Sequence, residues 1–125
     1  MISLSVLKKS FTYAFRGIAR VAREEQSFRI QLLVALVVVV LVFVVDFTGV
    51  ERALLALAIA FVLVLELMNS VAERMIDMFK PRIHHYAQDA KDIMAGAVLI
   101  ASCGAVAVAA AIAWPHLAVL LGVNT

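Results

Sequence analysis

Cysteine occurs once in this chain, proline twice and tryptophan once, and charged residues make up only 16% of its 125 positions. A lone Cys103 excludes an internal disulfide, and within its apolar run it reads as a packing residue; no redox compartment follows from it. Charge is absent from Ile30 to Val45, and no Lys or Arg falls within any of the three apolar runs. With 65% hydrophobic residues and a mean hydropathy of +1.03, there is too little polar surface to coat a soluble globule of this size. Also missing are G-x-x-x-x-G-K-[ST], G-x-G-x-x-G, and an H-R-D paired with a D-F-G. Nucleotide binding of the P-loop or protein-kinase kind is thereby excluded. Nothing in the charge pattern asks for a nucleic-acid partner, and no repeat, low-complexity tract or linker divides the chain. It is expected to be one integral membrane domain over 1–125.

What is present is three long apolar runs, with cores from Ile30 to Val45, Ala53 to Ala72 and Ile93 to Leu117. In lipid a short chain satisfies its backbone by forming helices, so the expected class is all-α, with spans over about 30–48, 52–79 and 91–120. The joint Asp46-Phe-Thr-Gly-Val-Glu51 is short and predicts an antiparallel hairpin; the joint Lys80 to Asp89 is polar and broken by Pro81. Lys8, Lys9, Arg16, Arg20, Arg23 and Arg29 precede the first span, and Arg74, Lys80, Arg82 and Lys91 flank the second joint. Only Arg52 lies on the opposite side, so the amino terminus is expected in the cytoplasm and the carboxyl terminus outside. No small-x-small site follows the first apolar run, so cleavage of a signal peptide is not expected. Trp114, Pro115 and His116 read as interfacial anchoring at the outer face.

The residues before the first span carry helical periodicity over about 5–26. Leu7, Phe11, Ala14, Phe15, Ile18 and Ala22 share one face and Lys9, Arg16, Arg20 and Arg23 the other, the pattern of an amphipathic helix lying in the headgroup layer. Continued one more turn, that helix would bring Glu25 to its apolar face, where a carboxylate belongs only if it turns inward to a polar site. The doublet Glu24-Glu25 equally suits a helix end.

Glu66, Asn69, Glu73 and Asp77 fall three, four and four residues apart, within about 80° of arc on one helix. A carboxylate at membrane depth costs about 2.5–3.5 kcal/mol, so Glu66 calls for a compensating partner such as a cation, a proton or a substrate. Carboxylates one or two turns apart with an Asn between them suit a hard divalent cation such as magnesium, which takes oxygen ligands and keeps waters and phosphates in its shell. Lys91-Asp92 enters the third span at the same level, offering a point charge for phosphate and a further carboxylate. Three readings stand at this point. The stripe is structural, paired or solvated; or Glu66 is the ion site of a small proton- or cation-coupled transporter; or the lower carboxylates hold metal and nucleotide while Glu66 meets a hydroxyl presented from the bilayer.

Three stretches, Glu25-Gln-Ser-Phe-Arg29, Glu66-Leu-Met-Asn-Ser-Val-Ala-Glu-Arg-Met-Ile-Asp77 and Ala90-Lys-Asp-Ile-Met-Ala-Gly-Ala-Val-Leu99, resemble the small prokaryotic diacylglycerol kinases, a family that includes the undecaprenol kinases. The likeness runs from Lys9 onward, and the E-x-x-N-x-x-x-E-x-x-x-D block followed by A-K-D is its most specific part. The resemblance implies a homotrimeric, three-span lipid kinase of the bacterial cell membrane with sites between subunits. Such an enzyme moves the γ-phosphate of ATP, with Mg2+, to the hydroxyl of a membrane lipid alcohol. It further implies Glu66 as general base, Glu25 and Glu73 as metal and ATP-phosphate ligands, and Asn69 as support for base and substrate. Asp77, Lys91 and Asp92 take nucleotide-contacting positions; Tyr13 and His84 lie near the nucleotide, and Arg16 near the lipid. The chain departs from the family at Val6, which stands for an early arginine, and at Gln31, where some members carry an acidic residue. Phe15-Arg-Gly-Ile18, His84-His85 and Ala95-Gly-Ala-Val98 lean toward undecaprenol over diacylglycerol as the acceptor.

Overall fold

In the computed structural model, residues 1, 3–79 and 84–123 are described, with the side chain of His84 outside that set. Four helices follow in order: α1 Leu4–Glu24, α2 Gln26–Val44, α3 Gly49–Phe79 and α4 His84–Leu120. The last three are each long and apolar enough to cross a membrane. The predicted all-α class, with an amphipathic helix ahead of three spans, is what the chain adopts.

α1 ends because Glu25 turns extended, at φ −116° and ψ 120°, while its N–H still bonds Val21 O. The same residue opens α2, its carbonyl accepting from Arg29 N. Arg29 then reaches back, Nη1 donating to Arg23 O at 3.0 Å, and so satisfies a carbonyl that the end of α1 leaves without a helical partner. The first span therefore starts at Gln26, about one turn earlier than hydropathy alone suggests. On the chain itself, the apolar face of α1 is bare: Leu7, Phe11, Phe15 and Ile18 are exposed, and the helix is anchored by its last turn, where Val21 is buried. That arrangement suits a helix whose apolar face lies in lipid.

α2 stops at Val44, short of the expected 48. Phe47 leaves the helix to pack, 6% exposed, with Leu55 and Ile112 in the small core at the far end of the helices. α3 opens on a reciprocal cap: Glu51 N donates to Thr48 Oγ1 at 3.2 Å and Thr48 N to Glu51 Oε2 at 2.8 Å. The same carboxylate meets His116 Nε2 of α4 at 3.2 Å, and the His116 ring stands edge-on to Phe47. α4 runs through Pro115 and closes at Gly122, whose φ of +65° allows Val123 N to bond Ala118 O. α4 begins at His84, well before the expected 91.

α3 is the central element, packing against α1, α2 and α4, while α2 and α4 make no comparable contact among the described residues. Between them, over α3, lies a cleft of about 240 Å3 lined by Gln31, Val34, Ala58, Ser102, Ala105 and Ala109 among others. Only two polar residues, Glu66 and Ser70, are buried among the described residues, and both sit on α3 beside the α1–α2 break.

Candidate active site

Glu66 is 3% exposed and points toward α2. Ser27 Oγ donates to its Oε1, and Gln31 Nε2 donates to its Oε2 at 3.3 Å. Among the described residues no Lys, Arg or His pairs with it. The sequence calls for a cation, a proton or a substrate beside this carboxylate; the fold itself places two neutral donors there. Hydrogen bonds to an ionised group are worth about 1.5–3 kcal/mol each, enough for two of them to offset the insertion cost.

One turn on, Ser70 is fully buried, with its hydroxyl 2.6 Å from Glu25 Oε2 and 3.1 Å from the Glu66 carbonyl. Glu25 thus turns inward at the break, and a serine on each side holds the other side's carboxylate: Ser27 with Glu66, Ser70 with Glu25. Arg74 completes this side of α3, its Nη2 lying 2.7 Å from Glu24 Oε2 and 3.9 Å from Glu25 Oε1. Asn69 Nδ2 donates to Glu73 Oε1 at 3.3 Å, one turn along the helix, while Asn69 Oδ1 is buried with no partner. Lys91 Nζ, from α4, bonds Asp77 Oδ1 at 2.8 Å. Asp92 instead accepts from Gln88 on its own helix. Tyr13 and Arg16 are exposed on α1, the guanidinium 5.7 Å from the tyrosine ring centre. The His84 side chain lies outside the described residues.

The structure therefore joins Glu25 and Glu66 through Ser70, Asn69 with Glu73, and Asp77 with Lys91, all along one side of α3. Tyr13, Arg16 and Asp92 stand apart with local partners. Ser27, Ser70 and Arg74 have no site role in the sequence reading, and Gln31 enters it only as a departure from the family. One signal was available: Ser27 and Gln31 are one turn apart near the start of a mostly apolar helix, the spacing at which two side chains share a target.

Three membrane-length helices, entered through an amphipathic one and carrying a buried glutamate with further acidic residues near that entry, define a small polytopic membrane protein with a polar site at one end. Residues 12–113 match the family of prokaryotic diacylglycerol kinases. The chain is 36% identical to an undecaprenol kinase of Bacillus subtilis over 74% of its own length and 75% of that protein. It is 33% identical to a diacylglycerol kinase of Synechocystis, covering 90% of this chain and 65% of the relative, and 30% identical to a diacylglycerol kinase of Escherichia coli, covering 86% and 88%. The chain belongs to the prokaryotic diacylglycerol kinase family and is a membrane lipid kinase. Between the transporter and kinase readings of Glu66, membership of this family favours the kinase.

Proposed function

We propose that this kinase transfers the γ-phosphate of ATP to the hydroxyl of a membrane lipid alcohol, undecaprenol before diacylglycerol, with Glu66 as the general base. The observation that carries the reading is the Glu66 carboxylate itself, buried and free of any counter-ion among the described residues. An ionised carboxylate has about four lone-pair directions. Two are taken by Ser27 and Gln31, which leaves acceptor capacity for a hydroxyl proton. An ion pair would have spent that capacity on a cation.

The oxygen groups below Glu66 fit magnesium. Asn69 Oδ1 is a buried oxygen without a donor, next to Glu73, and Glu25 is held inward by Ser70. Among the described residues no three His, Cys, Asp or Glu side chains make a self-sufficient cage. That also fits, because magnesium is usually held by one or two carboxylates and the substrate's phosphates. Glu25 and Glu73 would hold the ion, which when bound neutralises charge on the phosphate oxygens. Arg74 beside Glu25 and Lys91 beside Asp77 place positive charge along the same side, where a triphosphate needs it. The basic α1 and the Lys91 end would face the cytosol, where ATP is, with the carboxyl terminus outside.

Support for undecaprenol is the undecaprenol kinase of Bacillus subtilis at 36% identity, against diacylglycerol kinases at 30–33%. Gln31 touches Glu66 and also lines the α2–α4 cleft, so an alcohol whose chain lay in the cleft would bring its hydroxyl toward the carboxylate. Three copies of the chain, acting as one domain each, would complete the assembly. Purified protein in lipid is to be mixed with labelled ATP, magnesium and either alcohol. Label is expected in the lipid with wild type and absent with Glu66→Gln, which still inserts and assembles. No transfer by wild type to any tested alcohol would sink the proposal, and full transfer by Glu66→Gln would remove the base.

A further inference from the structure

The two donors on Glu66 do more than offset its burial. Ser27 and Gln31 lie one turn apart on α2, and each serves a different oxygen of the same carboxylate. A glutamate has three rotatable side-chain bonds, and a single donor leaves the carboxylate free to swing about the remaining contact. Two donors from one rigid helix fix both its position and its plane. Each is also neutral and two-faced: a hydroxyl and an amide accept as well as donate, whereas an ammonium or guanidinium only donates. Gln31 shows its second face directly, since its Oε1 is buried and has no partner while its Nε2 bonds Glu66. Turning that amide by half a rotation would present an acceptor to Oε2.

We propose that Ser27 and Gln31 are positioning residues for the base, a pair that holds the Glu66 carboxylate before transfer and accommodates the carboxylic acid after it. The inference rests on the reading of Glu66 as base. In the step concerned, the lipid O–H bond breaks and its proton passes to Glu66. The hydroxyl oxygen forms the new bond to the γ-phosphorus, the bond from that phosphorus to the β–γ bridging oxygen breaks, and ADP leaves with that electron pair. At that moment Glu66 changes from acceptor to donor, and a half-turn of the Gln31 amide brings its unpartnered Oε1 round to accept. The proton then passes to water, and the amide returns.

The test uses the full chain in lipid with ATP, magnesium and undecaprenol, comparing Ser27→Ala, Ser27→Thr, Gln31→Leu and Glu66→Gln, each checked for wild-type elution. Loss of one hydrogen bond to a charged group corresponds to about a 10- to 100-fold fall in kcat. Gln31→Leu and Ser27→Ala are expected to show that fall with the KM for ATP within about twofold of wild type, and Ser27→Thr, which keeps the hydroxyl, to recover most of the rate. Wild-type kcat in Ser27→Ala and Gln31→Leu, with Glu66→Gln inactive, would overturn the positioning role while leaving the base intact. An equal loss in Ser27→Thr and Ser27→Ala would make the effect one of shape and overturn it as well. Full activity of Glu66→Gln would instead refute the base. Infrared difference spectra of resting enzyme give a readout independent of turnover. The carboxylate band that Glu66→Gln removes should move in Ser27→Ala and in Gln31→Leu, and an unmoved band would show that the contacts do not form.

Discussion

Ser70 and Arg74, one turn apart on α3, both reach the α1–α2 break, and their energies run opposite to their formal charges. Arg74 makes an ion pair with Glu24, but the two side chains are 44% and 52% exposed, a setting in which such pairs contribute about 0–1 kcal/mol. Ser70 is neutral and fully buried, and its hydroxyl donates to the inward oxygen of Glu25. Glu25 is half-buried, its side chain 20% exposed, and removing its donor leaves the sheltered oxygen to bear its own desolvation, about 1–3 kcal/mol. Ser70→Ala is therefore expected to lower the unfolding free energy in mixed micelles by about 1–3 kcal/mol, and Arg74→Ala by under about 1 kcal/mol. The reverse order would mean that Glu25 is solvated in lipid and not held inward. The same contrast explains what could be read from the sequence at this scale. Glu66 and Glu25 announce themselves because a charge in an apolar setting is costly and needs a reason. Ser27, Gln31 and Ser70 carry no such cost in helices, and their roles appear only once the helices are brought side by side.

The helices themselves were legible in number and type, and less so at their ends. Hydropathy marks where a helix crosses lipid, while backbone hydrogen bonding decides where it stops. α4 thus extends from His84 through polar Gln88 and Asp89 before its apolar run begins, and α2 starts at Gln26 on the far side of Arg29. The break between α1 and α2 has no glycine or proline to mark it; only the Glu24-Glu25 doublet hinted at it. The start of α3 did have a written signal in Thr48-Gly-Val-Glu51, a threonine followed three residues later by glutamate, and that pattern is the reciprocal cap now seen. Its loss is a test of an element and not of the site. Thr48→Ala is expected to lower stability by about 1 kcal/mol with kcat unchanged, and Thr48→Ser to be close to neutral, as measured by unfolding in micelles. Because Glu51 also binds His116, a larger loss than this would show that the cap and the α3–α4 tie fail together.

At the scale of the whole molecule the governing fact is that α3 binds its neighbours but α2 and α4 leave a cleft between them. In water such a gap would close to hide its apolar walls; in hydrocarbon no such force operates, since lipid tails are as apolar as the side chains. The cleft is therefore available to a chain of similar chemistry, and its small residues Ala58, Ser102, Ala105 and Ala109 leave it about 240 Å3. If the alcohol's hydrocarbon chain lies there, filling the space from α4 should weaken binding of the alcohol without touching the nucleotide. Ala105→Leu is placed for this, since Ala105 lines the cleft and has no part in the Glu66 cluster. The expected result is a several-fold rise in the KM for undecaprenol, on the order of 1 kcal/mol for the displaced methylenes, with the KM for ATP and the oligomer size unchanged. A short-chain alcohol that need not enter the cleft should be turned over as by wild type. If elution shows the assembly falling apart, the cleft is a seat for a neighbouring copy and the alcohol reaches Glu66 by another side of α3.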